Sequence, residues 1–297
     1  MLYALLAAAL FGAGIPLCKA LGATWPQAPL AGMLYLVSGV GLLAARPLVR
    51  AGGEPLARRH LGWLAGSVLT GGILAPICLL YGLTQTYGHV ASILGNLETV
   101  FTVAIAVMLF RERLQGREWL AALLLVAGAA AVSWSGSESQ AKHPWFGAGL
   151  IALSCLCWGF DNNFTRRIAE CDPLVIGGAK GLAAGVVNLA VGAALGQRPP
   201  MELRPLAFAG AVGLFSYGIS LVLFVLALRK LGAARTSAVF AIAPASGVLV
   251  AWLALREVPG WPALAGGAVM IAGVVWLALA GEPPDGEKPE AHASLPG

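Results

Sequence analysis

The sequence predicts an all-α polytopic membrane protein with ten transmembrane helices arranged as two inverted five-helix repeats. Three observations carry that reading. Charged residues make up 11% of the 297 positions and apolar residues 58%, against about 25% and 45–50% in soluble chains. The mean hydropathy is +0.80. The apolar residues form ten continuous runs, each near the ~20 residues that a helix needs to cross the hydrocarbon, whereas a membrane strand would alternate over about ten.

In chain order, the first run (2–22) starts without a basic leader and is followed by nine more, so it is expected to remain as a membrane helix and not to be cleaved. It is rich in small residues, with Gly12, Gly14 and Pro16 ahead of Lys19. The second run (28–48) is followed by Arg50, Arg58 and Arg59, and the third (61–83) contains Gly71, Gly72, Pro76 and Tyr81. The fourth (89–110) holds His89, Asn96 and Glu98, and the turn FRERLQGRE leads into the fifth (117–135). The sixth (145–166) holds Trp158, Gly159 and the triplet Asp161, Asn162, Asn163; the seventh (173–195) holds Lys180 and Asn188. The eighth (205–228) carries Tyr217, the ninth (233–255) Pro244, and the tenth is 261–280. Residues 1–140 and 141–280 form the repeats, and the polar, proline-rich 281–297 is expected to be a disordered cytoplasmic tail.

The net charge is +5, but the basic residues stand at the ends of apolar runs and not on one face, so they are orientation signals and not a nucleic-acid surface. With the N-terminus inside, thirteen of the 19 Lys and Arg fall in inside connections, and Lys19, Lys142, Arg198, Arg204 and Arg256 fall outside. Both termini are therefore expected to be cytoplasmic, in a plasma (inner) membrane.

The two halves resemble each other at an offset near 145. FRERLQGREWLAALLLVAGAAAVSW aligns with LREVPGWPALAGGAVMIAGVVWLAL, pairing Arg111 and Glu112 with Arg256 and Glu257. YGLTQTYGHVAS aligns with VLALRKLGAART through Gly88 and Gly232, and FGAGIPLCK with WGFDNNFTR through Gly12 and Gly159. Because five is odd, the second half enters the membrane from the opposite side, giving an inverted-topology repeat of the kind found in secondary transporters.

This organisation resembles the drug/metabolite transporter superfamily, specifically its EamA-type members. The likeness is carried by FGAGIPLCKAL, by the elbow YGLTQTYGHVASILGNLETVF and by the short acidic turns ending runs four and nine, and it covers residues 1–280. Two positions depart from the pattern: Thr99 stands where the second half has the family-like Pro244, and Leu36 where a basic residue is common, which Lys180 supplies in the second half. The resemblance implies transport of amino acids or related polar metabolites, often by export.

A charge in the hydrocarbon core costs about 2.5–3.5 kcal/mol on insertion scales, so each one needs a reason. Glu98 lies about ten residues into its run, roughly 15 Å deep and near the midplane. It either binds a cationic substrate group or carries a proton, or is a neutral carboxyl bonded to a neighbouring helix. Asp161, Asn162 and Asn163 fan over about 200° of helix, so they cannot all face lipid. Asp161 and Lys180 share a depth and are expected to pair between runs six and seven, as a clamp or a gate. Lys19 either snorkels to the interface or anchors a substrate carboxylate. Pro16, Pro76 and Pro244 are expected to kink their helices and free carbonyls. Tyr81, Trp158, Tyr217, His89, Asn96 and Asn188 are further cavity candidates, each also explicable by packing. The spacings Gly62 to Gly66 and Gly177, Gly181, Gly185 allow close helix contact within the bundle or at a dimer seam, so the chain is expected to be a monomer or homodimer. Arg256 with Glu257 is read as a duplicated turn.

No GxxxxGK[ST] loop is present, so a gradient would supply the energy. His60, His89, His143 and His292 are scattered, with no HExxH and no Ser/His/Asp grouping, which disfavours an enzyme. Cys18, Cys78, Cys155, Cys157 and Cys171 make no CxxC, so neither a metal nor a cofactor is expected. The leading expectation is a secondary transporter of a small polar metabolite working by alternating access, with Glu98 as the candidate for proton coupling; the rival is a lipid flippase or scramblase.

Overall fold

The computed structural model describes residues 1–49, 52–110, scattered positions between 120 and 131, 143–240 and 242–279. Among these the regular secondary structure is helical, with short turns and connections between the helices and one isolated bridge between Glu54 and Cys171. The helices are α1 (Leu2–Gly22), α2 (Gln27–Ala45), α3 (Arg58–Leu83), α4 (Gly88–Leu94), α5 (Leu97–Phe110), α6 (Pro144–Arg166), α7 (Pro173–Ala194), α8 (Leu203–Ala227, with helical hydrogen bonding running on through Ser220–Phe240), α9 (Ala243–Leu255) and α10 (Trp261–Leu279). The expected fifth run, the Arg111 and Glu112 turn and the C-terminal tail lie outside the described residues.

Five of these helices are long and apolar enough to cross a membrane: α1, α2, α3, α7 and α8. Helix α6 is 23 residues long, but Asp161, Asn162, Asn163 and Arg166 make it too polar to qualify by composition. The fourth apolar run is not one helix. It ends at Leu94, turns through Gly95 and Asn96, and restarts at Leu97, because glycine and asparagine are poor helix residues and good turn formers.

Helix α8 conceals a reversal. The rings of Phe224 and Phe240 are 4.9 Å apart, whereas sixteen residues of straight helix would separate them by about 24 Å. The chain therefore folds back between them. Pro244 does not kink α9 but stands in its first turn, where the missing N–H has no helical partner to lose. Pro16 does lie inside α1, and the Gly12 carbonyl it deprives of a donor faces Gly247.

Helices α3 and α8 each contain a seven-residue π segment, Val68–Leu74 and Gly213–Ile219. The two segments are 145 residues apart, the offset of the sequence repeat. In α3 the Ala75 N–H reaches back to the Thr70 carbonyl, and Pro76 has no N–H to give. The Gly71 and Gly72 carbonyls are left to other donors, as expected of a π segment followed by proline.

The two halves interlock. Helix α2 packs along α7, α1 lies against α8 and α9, and α6 fits between α3 and α5. The α2–α7 contact is close enough that a Cβ on Gly181 would strike the backbone of Gly39 and Tyr35, which assigns the Gly177, Gly181, Gly185 spacing to packing within the bundle. Leu30, Leu34, Leu79, Leu94 and Ile151 are fully buried. Leu69, Val186 and Leu253 are more than half exposed on the outside, as suits a surface solvated by lipid chains.

Candidate functional site

The break between α4 and α5 puts a helix N-terminus inside the bundle, and Glu98 occupies its first turn, where the helix dipole favours a carboxylate. The Glu98 N–H donates to the Gly95 carbonyl (3.0 Å), and Thr102 Oγ1 donates to the Glu98 carbonyl (2.7 Å). Asn162 Nδ2 donates to Glu98 Oε1 (2.7 Å) and to Thr102 Oγ1 (3.2 Å). Among the described residues no cation pairs with Glu98, and its other carboxylate oxygen receives no hydrogen bond.

The polar triplet of α6 divides its three directions between neighbours. Asn162 turns to α5. Asn163 Nδ2 donates to the Thr102 carbonyl (3.0 Å) and to the Gly159 carbonyl (2.8 Å). Asp161 turns to α3 and α7, where Lys180 Nζ and Ser67 Oγ donate to it. Thr165 Oγ1 donates to Asp161 Oδ1 (3.2 Å) and sits 3.2 Å from Ser67 Oγ. Asp161 and Lys180 are 5% and 4% exposed, so the pair meets the requirement that a buried charge be both matched and hydrogen-bonded.

The freed carbonyls of α3 are satisfied around this pair. Tyr35 Oη (2.6 Å) and Trp158 Nε1 (3.3 Å) donate to the Gly71 carbonyl, and Asn188 Nδ2 (2.9 Å) donates to that of Gly72. Gly71 must be glycine, since a Cβ there would overlap the Asp161 carboxylate.

These groups border a cavity of about 70 Å³ that opens to its surroundings. Its polar wall is Glu98, Asn162, Asp161, Lys180, Ser216 and Ser220; its apolar wall is Leu221 and the rings of Phe11, Tyr35, Trp158, Tyr217, Phe224 and Phe240. The rings form a connected set: Phe11 is 5.5 Å from Trp158, 5.5 Å from Phe240 and 6.4 Å from Tyr217, which is 5.4 Å from Tyr35.

At one end of the bundle, Lys19 Nζ pairs with Glu257 Oε1 (3.2 Å), donates to the Thr86 carbonyl and lies 5.1 Å from the centre of the Tyr87 ring. The His89 N–H (3.0 Å) and Nδ1 (3.2 Å) meet Glu257 Oε2, which puts a proton on Nδ1. The preceding residue, Arg256, has φ 58°, a left-handed conformation unusual for a side-chain-bearing residue. Burial pushes the Glu257 carboxyl up, but the bonds from His89 and Lys19 outweigh it and hold the carboxyl below its usual range. At the opposite end, Arg46 Nε pairs with Asp172 Oδ2 (3.2 Å), and the Glu54 backbone bonds to Glu170 and Asp172 (2.9 and 3.1 Å). There Arg229 donates to the carbonyls of Gly52, Ala169 and Cys171.

Of the residues singled out in the sequence, Glu98, Trp158, Asp161, Asn162, Lys180 and Tyr217 line the cavity. Asn163 lies behind it. Lys19 is at the bundle end with Glu257, so it neither snorkels freely nor faces the cavity. Tyr81 Oη accepts from Gln197 Nε2 (3.1 Å), away from the cavity. Asn96 is buried outside the lining, and its Nδ2 has no partner among the described residues. The sequence reading missed Phe11, Tyr35, Ser216, Ser220, Phe224 and Phe240, and it missed the bond between Glu257 and His89. The 145-residue offset could have flagged two of them: it carries Lys180 back to Tyr35 and Gly71 forward to Ser216. The apolar rings carry no such mark.

Comparison with known proteins places the chain. It is 28% identical over 283 residues to an "Uncharacterized transporter" of Methanothermobacter thermautotrophicus, covering 90% of this chain and 82% of that one. It is 25% identical over 235 residues to the "Uncharacterized inner membrane transporter YedA" of Escherichia coli K12, covering 76% and 73%. A solved crystal structure shares the fold, with a TM-score of 0.67 and 17% identity over 93% of this chain and 96% of that one. The EamA-like transporter family matches residues 1–134 and again 145–279. Two copies of that family's unit, lying on either side of a charged cavity in an apolar helical bundle, make this multi-pass membrane chain a member of the EamA-like transporter family.

Proposed function

We propose that this chain is a secondary transporter that carries a small polar metabolite, an amino acid or a related compound, out of the cell by alternating access. The observation that carries the reading is the cavity between the two family units: Phe11, Tyr35 and Glu98 come from the first unit, and Trp158, Asp161, Lys180 and Tyr217 from the second. Bonds at both bundle ends also run between the units. Lys19, Thr86 and His89 meet Glu257, or one another, at one end, and Arg46 meets Asp172 at the other. A site between two units tied at both ends is what rocking of one unit against the other requires, with one set of ties released at a time. In this reading the termini and the Asp172 end face the cytoplasm and the Lys19 end faces outside, an orientation that the distribution of Lys and Arg supports.

Glu98 is the coupling group in this reading, because it is the cavity carboxylate that no described cation neutralises. The test is counterflow in proteoliposomes loaded with pooled amino acids and related metabolites, run across a pH series with wild-type protein and Glu98→Gln. Exchange that depends on pH in the wild type and loses that dependence in the variant supports coupling. PH-independent exchange in both removes it, and protection of a labelled lipid headgroup without metabolite exchange would point to a flippase.

A further inference from the structure

Within the cavity, the two charged elements differ in how completely they are used. Asp161 already accepts from Lys180, Ser67 and Thr165, and Lys180 is 4% exposed. A substrate carboxylate at Lys180 would have to share the ammonium with Asp161, crowding two carboxylates onto one positive charge, and like charges that close disfavour each other. Glu98 is in the opposite condition. It is partly accessible, takes one side-chain bond from the neutral amide of Asn162, and faces the same space as six aromatic rings.

Counted over its described lining, the cavity holds Glu98 and Asp161 against Lys180, one negative charge in excess when both acids are ionised. The faces of Phe, Tyr and Trp rings attract cations and repel anions. The connected rings also offer a flat apolar body the stacking and edge contacts that they make with one another.

We infer that the cavity selects a monocationic amine with an aromatic or bulky apolar body and no carboxylate, its ammonium held by Glu98 and its body by the ring wall. This rests on the transport reading above and narrows it: the amine derived from an aromatic amino acid fits, and the zwitterion does not. Ser216 lines the same cavity and suits a hydroxyl on the apolar body.

Matched trios test it: tryptamine, tryptophan and indole-3-ethanol, then phenethylamine, phenylalanine and 2-phenylethanol. Each is titrated into the detergent-purified full chain while the melting temperature is followed, since a ligand that prefers the native state raises it. The amines are expected to bind at least about tenfold tighter than their amino acids and alcohols, and Glu98→Gln to weaken them about 10- to 100-fold, the loss of a charge-assisted hydrogen bond. Glu98→Asp should keep part of the affinity. An amino acid or an alcohol that binds as tightly as its amine overturns the inference. If Glu98→Gln does not fold, the wild-type trios still decide.

Counterflow with the same six compounds separates the two readings. Exchange of amino acids without amines sinks the amine preference and leaves the transporter. Amines that bind through Glu98 but never exchange sink the transporter and leave the preference. If none of the six binds or exchanges, the amine inference falls.

Discussion

Two ion pairs in this molecule have similar chemistry and opposite surroundings. Asp161 and Lys180 both belong to the second family unit, are almost fully buried and have two hydroxyls completing the carboxylate. Lys19 and Glu257 come from different units and sit at a bundle end, with side chains 25% and 9% exposed. The first pair is held by an environment that punishes separation. The second can exchange its partners for water. A pair meant to persist through a transport cycle and a pair meant to break in it should differ in this way.

The largest expected effect breaks the buried pair. Lys180→Ala should lower stability by about 3–5 kcal/mol, because Asp161 is left buried and unmatched. Thermal unfolding in detergent would read this as a large fall in melting temperature. The double variant Asp161→Asn with Lys180→Met should recover most of it; recovery of none would mean that the pair is not a self-contained unit.

A smaller effect is expected where α3 makes room for the pair. Gly71→Ala should cost about 1–3 kcal/mol, since the added methyl meets a carboxylate that cannot move without losing Lys180. The same unfolding measurement checks it, and a neutral result would show that α3 is free to shift.

The end pair should respond in accessibility more than in stability. Glu257→Gln should change stability by less than about 1 kcal/mol. It should nevertheless raise alkylation of Cys18, which neighbours Lys19, is fully buried and contacts Tyr217 of the cavity wall (3.6 Å). Mapping of the labelled peptide by mass spectrometry would read this. Acid should mimic the variant. The Glu257 carboxyl is depressed in the folded protein, so its contribution is present above the ordinary glutamate value of about 4.3 and is lost as pH falls below it. The thiolate fraction falls with pH in both proteins alike, so the readout is their ratio: labelling of Cys18 in the wild type relative to Glu257→Gln should rise toward one below about pH 4. Equal labelling at every pH in both proteins would rule out a closing role for the pair.

How legible the site was depended on the chemistry of each residue. Glu98 and the Asp161 triplet stood out because polar groups in an apolar run need an explanation, and the pairing of Asp161 with Lys180 followed from their shared depth. The partners that complete the pair, Ser67 and Thr165, were not legible, since hydroxyls are ordinary in membrane helices and bond their own backbone as readily. Lys19 illustrates the reverse. Its charge was visible, but its partner lies 238 positions away in the other unit. The break at Gly95 and Asn96 was written in poor helix residues, yet was absorbed into a continuous run because hydropathy averages over such short interruptions.

The sequence alone determined that this chain lives in a bilayer as helices, because the length of an apolar run and the scarcity of charge are set by the solvent and need no partner. It also determined the internal repeat, which is a property of the order of residues. Only the tertiary structure decided which carboxylate is matched and which is left facing a cavity, which carbonyls the π segment of α3 releases, and which rings gather around them. Those outcomes depend on distances of about 3 Å between helices far apart in the chain, where hydrogen bonds form or fail, and neither periodicity nor composition carries that information.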